Sequence, residues 1–182
     1  MTVSVAWGIS GAGDYLAESI AVIKKALGQY DLRMMVFLSR AGAQVVRMYG
    51  LWAALEEIDP HPQVEVDANT PFLVGPLQKG VYRFLVVMPA TANTVAKIVT
   101  GIADTLVTNC VAEAQKAELP IVILPCDQTP GRFSTPLPSG KKLTLTTREV
   151  DLRNVEKLRA MKGVTVLKRP EELLRILEKY AS

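Results

Sequence analysis

Phe84-Leu85-Val86-Val87-Met88, followed by Pro89-Ala90-Thr91-Ala92-Asn93-Thr94, is the stretch on which the fold turns. Five consecutive apolar residues are too few for a buried helix and match the run that a parallel sheet covers on both faces. The residues after them are small or hydrogen-bonding, so the strand is expected to pass into a loop whose backbone a planar ligand can approach closely. Lys97 lies one turn further on, and Gly101-Ile102-Ala103-Asp104 comes next. The whole run reads as strand, binding loop, helix, tight turn and helix.

Working outward, strands and helices take turns. Residues 3–7 read as a first strand and 15–27 as a helix, with Leu16, Ile20, Ile23 and Leu27 at helical spacing. Residues 33–38 form a second strand, and a helical pattern from Ala41 is interrupted near Gly50 and resumes over 51–58. Residues 59–80, rich in Pro, Gly, Asn and Asp, read as an irregular connection with a short strand at 64–66. A helix at 103–117 puts Leu106, Cys110, Val111 and Ala114 on its apolar face, and 121–124 is a short all-apolar strand. Residues 125–148 read as a long loop, which a compact domain rarely keeps without a use. A helix at 152–161, a strand at 164–167 and a helix at 170–180 with Pro at its first turn close the chain.

This alternation specifies a single α/β domain over residues 1–182: a three-layer, Rossmann-like (flavodoxin-like) open parallel sheet with helices on both faces. Ligands of such sheets bind beyond the carboxyl ends of the strands. Four loops, 8–14, 39–42, 89–94 and 125–131, are therefore expected to meet in one site.

Composition fits one packed domain. A chain of 182 residues buries roughly 70% of its unfolded surface. With 49% hydrophobic and 21% charged residues it belongs with globular proteins. The net charge is only +3 and the basic residues are spread along the chain, which argues against nucleic acid as a partner. Cys110 and Cys126 match no metal or redox spacing, and two thiols cannot supply a four-cysteine iron–sulfur site, so no metal is expected. The apolar N-terminus lacks a basic leader and runs into glycines, and no apolar stretch reaches membrane-spanning length. The expectation is a cytoplasmic protein without a membrane partner.

Each loop has a plain reading beside a functional one. In Gly8-Ile9-Ser10-Gly11-Ala12-Gly13, backbone amides ahead of a helix suit a phosphate, and Ser10 adds a hydroxyl donor. The glycine order departs from G-x-G-x-x-G and no P-loop lysine follows, so a tight turn onto a helix is the competing reading. Ser39 either faces a phosphate or caps the next helix.

Pro89-Ala90-Thr91-Ala92-Asn93-Thr94, with Lys97, Gly101, Ala103 and Asp104 in place, resembles the "PASANT" signature of the homo-oligomeric flavin-containing cysteine decarboxylase superfamily. In that superfamily the motif helps to bind FMN. The resemblance covers roughly residues 3–128 and implies that Gly8, Ser10, Gly11 and Ser39 stand where the FMN phosphate is held. Trp7–Gly13, Val36–Gly42, Val46–Trp52 and Ala103–Asn109 further resemble the archaeoflavoprotein and dihydromethanopterin reductase (acceptor) branch. That branch implies an FMN oxidoreductase of one-carbon metabolism reducing dihydromethanopterin to tetrahydromethanopterin, with electrons from a donor such as a reduced nicotinamide or ferredoxin. It also implies homotrimers, often assembled into larger cages. Two further readings stay open: a flavoprotein electron carrier or flavin reductase serving a ferredoxin-like partner, and a non-catalytic flavin-binding storage or regulatory protein.

Departures from the decarboxylase pattern narrow the chemistry. The sole histidine, His61, lies between prolines outside any matching context, and Pro125-Cys126-Asp127-Gln128-Thr129-Pro130-Gly131 replaces the methionine-containing clamp. Under the flavin reading Ala90 and Ala92 admit the ring system, and Thr91, Asn93 and Thr94 bind the cofactor. Cys126 and Gln128 place polar groups near it, and Asp127 either relays a proton to the pterin or starts a turn. Lys97 either meets an anionic ligand or is ion-paired, Cys110 is a buried small hydrophobe, and Met48–Trp52 serves the core or a subunit contact.

Overall fold

A computed structural model describes residues 2–181. In chain order it contains β1 (Val3–Ile9), α1 (Leu16–Gln29), β2 (Leu32–Leu38), α2 (Arg40–Met48), α3 (Trp52–Glu56), β3 (Gln63–Val64), α4 (Val74–Gln78) and β4 (Phe84–Ala90). There follow α5 (Ala92–Thr100), α6 (Leu106–Lys116), β5 (Ile121–Pro125), β6 (Arg132–Pro136), β7 (Lys142–Thr146), α7 (Glu149–Arg159), β8 (Val164–Val166) and α8 (Glu172–Ala181). Six strands form one sheet in the order β3-β2-β1-β4-β5-β8, every neighbouring pair parallel. The chain winds outward from β1 to one edge, returns to the centre at β4 and winds to the other. The order therefore reverses between β1 and β4, and such a switch point opens a crevice at the carboxyl ends.

Strand β4 explains the three layers. All seven of its residues are buried, and their side chains alternate between faces. Phe84, Val86 and Met88 join Leu16, Ile20 and Ile23 of α1, Val46 of α2, Leu55 of α3 and Leu173 and Leu177 of α8. Leu85 and Val87 join Leu77 of α4, Val95 and Ile98 of α5, Leu106 and Val111 of α6 and Val155 and Leu158 of α7. A register shift against β5 between Val87 and Ala90 turns Ala90 to this second face. Each fully buried aliphatic side chain here contributes about 1.5–3 kcal/mol.

The structure corrects several boundaries and one loop. Helix α6 starts at Leu106, not at 103, because Thr105 caps it: its hydroxyl accepts from the Thr108 amide at 3.2 Å, and the Thr108 hydroxyl accepts from the Thr105 amide at 3.1 Å. Gly101, at φ 77°, ends α5 in the left-handed conformation. The strand expected at 64–66 is the two-residue β3, and the connection around it also holds α4, whose Leu77 is buried. Helix α7 begins at Glu149, three residues before the expected start. Within 125–148, read as irregular, β6 and β7 pair antiparallel as a hairpin that stands apart from the main sheet. Among the described residues no helix is long and apolar enough to cross a membrane.

Candidate functional site

The four expected loops meet at the carboxyl edge, joined by hydrogen bonds between residues far apart in sequence. The Ser39 amide donates to Ile9 O at 3.0 Å, tying the loop after β2 to the end of β1. Across the switch point the Ser10 amide and hydroxyl both donate to Pro89 O, at 3.2 and 2.9 Å, and the Thr91 amide donates to Ser10 Oγ at 2.9 Å. The Cys126 amide donates to Ala90 O at 3.0 Å, and its thiol lies 3.6 Å from Asp14 O. Trp7 Nε1 supports this seam from below, donating to Met88 O at 2.6 Å.

These bonds alter two expectations for the first loop. Gly8 lies inside β1, where an added Cβ would stand 2.7 Å from Phe37 Cζ, so it is a packing position and the loop begins at Ser10. Ser10 is only 2% exposed and its hydroxyl is taken up within the fold as donor and acceptor, so it is not a free donor for a phosphate. Gly11 retains its place in the loop: a Cβ there would stand 2.7 Å from Ala41 Cβ, so its absence lets the loop lie against the start of α2. Ser39 caps α2, accepting from the Gly42 amide at 2.9 Å, and remains half-buried at the same edge.

In the third loop Thr91 caps α5, accepting from the Thr94 amide at 3.1 Å, and the Thr91 and Thr94 hydroxyls lie 3.0 Å apart. Ala90 is fully buried and Thr94 nearly so, while Asn93 is exposed on the first turn of α5. Among the described residues, the amides of Gly11, Gly13 and Asn93 have no partner in the chain. Unpaired amides at a helix start and in a glycine loop are donors suited to phosphate and carbonyl oxygens.

The fourth loop carries Asp127, and Asp151 of α7 and Asp14 of the first loop act on it. Burial, with the Asp151 carboxylate next in importance, raises the Asp127 carboxyl above its ordinary range, and a hydrogen bond from the Ala92 amide opposes the shift. Arg148 holds Asp151 through two hydrogen bonds of 2.8 and 2.7 Å. Burial and the neighbouring Asp14 and Asp127 push the Cys126 thiol well above its usual range. Both ends of the Gln128 side chain are engaged within the fold. Its amide nitrogen donates to Pro125 O and Leu167 O, both at 2.9 Å, and its oxygen accepts from Arg159 at 3.1 Å, which turns the side chain toward the end of β8.

Beside the first and fourth loops lies a cleft of about 460 Å³, with Asp14, Tyr15, Tyr49 and Cys126 on one side and Phe133 and Leu137 of the hairpin region on the other. The Tyr49 hydroxyl reaches across and donates to Pro136 O at 2.7 Å. Tyr15 holds a left-handed conformation at φ 62°, and burial raises its phenol pKa. Neither tyrosine nor the hairpin wall was anticipated from sequence; the alternation of Leu143 and Leu145 with threonines was the available signal. Outside the site, Lys97 pairs with Asp104 at 2.7 and 2.9 Å, burial pushes the Cys110 thiol up to about 12, and His61 is exposed.

A family model described as Flavoprotein matches residues 2–180. The chain belongs to the flavoprotein family. This flavoprotein is 49% identical over 176 residues to an uncharacterized protein of Methanocaldococcus jannaschii, covering 97% of this chain and 95% of the relative. It is 30% identical to the dihydromethanopterin reductase (acceptor) of the same organism, covering 96% and 95% of the two chains. Among solved structures it is similar to DmrB of Burkholderia xenovorans in complex with FMN, described as a cubic protein cage for redox transfer. That likeness has a TM-score of 0.82 and 33% identity, covering 98% of this flavoprotein and 94% of DmrB. The resemblance drawn from the motifs thus holds at the level of the family.

Proposed function

We propose that this flavoprotein binds FMN at the β1–β4 switch point and reduces dihydromethanopterin to tetrahydromethanopterin in cytoplasmic one-carbon metabolism. The observation that carries this reading is the 30% identity to dihydromethanopterin reductase (acceptor) over nearly the whole of both chains, combined with a switch-point edge rich in unpaired amides. The electrons come from a reduced nicotinamide or ferredoxin.

When bound, FMN supplies the hydride and electron chemistry. The chain's own residues bind, orient and shield. The amides of Gly11 and Gly13, with the Ser39 cap beside them, receive the phosphate, and the lack of a Cβ on Gly11 keeps that loop close to α2. Ser10 contributes by fixing the third loop and not by touching the phosphate. Ala90 adds no bulk beneath a flat ring, Thr91 and Thr94 set the entry to α5, and Asn93 with its free amide offers polar groups at the rim. Asp127, half-buried and raised, keeps its proton to higher pH than an ordinary aspartate, and in this reading it is the group that gives a proton to a pterin nitrogen. Cys126 is a neutral, half-buried wall of the cleft. Exposed Met48, Phe72 and Ile102 supply apolar surface for packing copies of the chain into trimers and a cage.

The test is anaerobic mixing of the FMN-loaded, reduced protein with dihydromethanopterin, following flavin absorbance. Rapid reoxidation that unrelated acceptors do not match is expected. Reoxidation no faster than with those acceptors overturns the substrate assignment, and a chain that cannot be loaded with FMN overturns the whole reading.

A further inference from the structure

Resting on that reading, we propose that Lys168, Arg169 and Arg159 form a seat for the anionic tail of the pterin acceptor, whose ring occupies the adjoining cleft. The seat is a second cavity of about 490 Å³, lined by Tyr15, Gln128, Thr129, Arg159, Lys168 and Arg169. Tyr15 and Thr129 also line the first cleft, so the two cavities share a wall and run on from one another.

Three observations give the seat its character. It lies on the ligand edge: Leu167 donates its amide to Ile123 O at 2.8 Å, so Lys168 and Arg169 begin the loop just past the carboxyl end of β8. It is built: Gln128 binds Leu167 O with its nitrogen and Arg159 with its oxygen, holding the two cationic segments against the fourth loop. It is also cationic with charge to spare. Arg159 shares its charge with Glu156, and Glu172 is hydrogen-bonded to the Lys168 backbone amide, whereas the side chains of Lys168 and Arg169 have no ion-pair partner among the described residues.

The first cleft has the opposite polarity, carrying the carboxylates of Asp14 and Glu18. A ligand with N–H donors at one end and a phosphate or carboxylate at the other is therefore oriented by the pair of cavities. A dihydropterin ring presents such donors, and its tail is directed past Tyr15 onto the two unpaired cations. Arg169 is close enough to Tyr15 for its charge to act on the phenol, so the tyrosine stands where ring and tail join.

The chemistry that fits the seat, a phosphate or carboxylate group, also occurs on nicotinamide donors and on FMN itself, and the test separates these sources. Lys168→Gln/Arg169→Gln is compared with the parent protein, both loaded with FMN. The expected results are a KM for dihydromethanopterin raised at least tenfold, since losing even one of the two charge-assisted contacts costs about that factor, with kcat unchanged. A tailless dihydropterin should keep its KM, and the affinities for FMN and riboflavin should both be unaltered. Calorimetric titration with inorganic pyrophosphate, which needs no turnover, should show binding to the parent and binding at least tenfold weaker to the variant. Unchanged pyrophosphate affinity overturns the seat whether or not the protein reduces a pterin. Loss of FMN but not riboflavin affinity, or a raised KM for the nicotinamide donor alone, overturns the assignment to the acceptor tail. Pyrophosphate binding that weakens in the variant of a protein unable to reduce any pterin leaves the seat standing and removes only the proposed substrate.

Discussion

Replacing Ser10 by alanine tests whether the hydroxyl serves the fold or the cofactor. Ser10 Oγ lies 2.9 Å from both Pro89 O and the Thr91 amide, in a residue 2% exposed. Removing it deletes two hydrogen bonds, each worth about 0.5–1.5 kcal/mol net, and strands a donor, which costs about 1–3 kcal/mol. The other partner fares better, because Pro89 O keeps the Ser10 amide at 3.2 Å. A loss of about 2 kcal/mol is expected, which for a chain of 182 residues lowers Tm by about 4–8 °C. Because the lost bonds position the third loop, FMN and riboflavin should weaken together. Thermal unfolding of the flavin-free protein and parallel titrations with the two flavins supply the readouts. An unchanged Tm with a loss of affinity confined to FMN would falsify the argument and return Ser10 to the phosphate.

Gly8→Ala forces a Cβ against the buried Phe37 ring and should destabilise by about 1–3 kcal/mol; combining it with Phe37→Leu should recover part of that in denaturant unfolding, and strictly additive losses would contradict the proposed clash. The raised Asp127 carboxyl makes the folded chain hold its proton at higher pH than the unfolded one, whose value is near 3.8. Its destabilising effect is thus full at neutral pH and fades as pH falls through the raised value toward the ordinary one. Asp127→Asn, still able to accept from Ala92, should raise Tm at pH 7 and lose that advantage toward pH 4, and a Tm difference independent of pH counts against the assignment. Tyr49→Phe removes the bond to Pro136 O at a cost of about 1 kcal/mol or less, yet amide exchange over 132–146 should quicken; unaltered exchange there means the tyrosine does not tether the hairpin. The Cys110 thiol is fully buried and raised, so native-state alkylation at pH 8 followed by peptide mapping should leave it largely unlabelled, and rapid labelling of it contradicts its environment.

The main sheet was legible because burial on both faces writes itself into sequence. Phe84–Met88 and Ile121–Leu124 have no polar residue to offer water, and their alternation with amphipathic helices left one architecture. The convergence of the four loops followed from that architecture without knowledge of any side-chain contact. The hairpin escaped notice for the converse reason. Every residue of β7 is exposed and β6 buries only Thr135, so no core selects an apolar pattern, and prolines at 130, 136 and 138 mimic a loop. The partners that engage Ser10 and Gln128 within the fold could not be read locally. The groups that engage them lie 79 and 81 residues away for Ser10, and 31 and 39 away for Gln128 with Arg159 and Leu167. Ser39 and Lys97 were easier, since a cap and an ion pair are settled within seven residues.

The Ser10 seam also makes ligand capture a readout of folding order. Residues up to β3 carry β1, β2 and their helices, but Pro89 and Thr91 reach Ser10 only when β4 pairs with β1. Closing so long a loop is entropically costly and is repaid only after the central strands pair. A nascent or truncated chain ending before β4 therefore has the glycine loop but not the seam that shapes it. A bound flavin, bridging both halves, would act as a clasp that slows their separation, so flavin release should accompany global unfolding and not precede it.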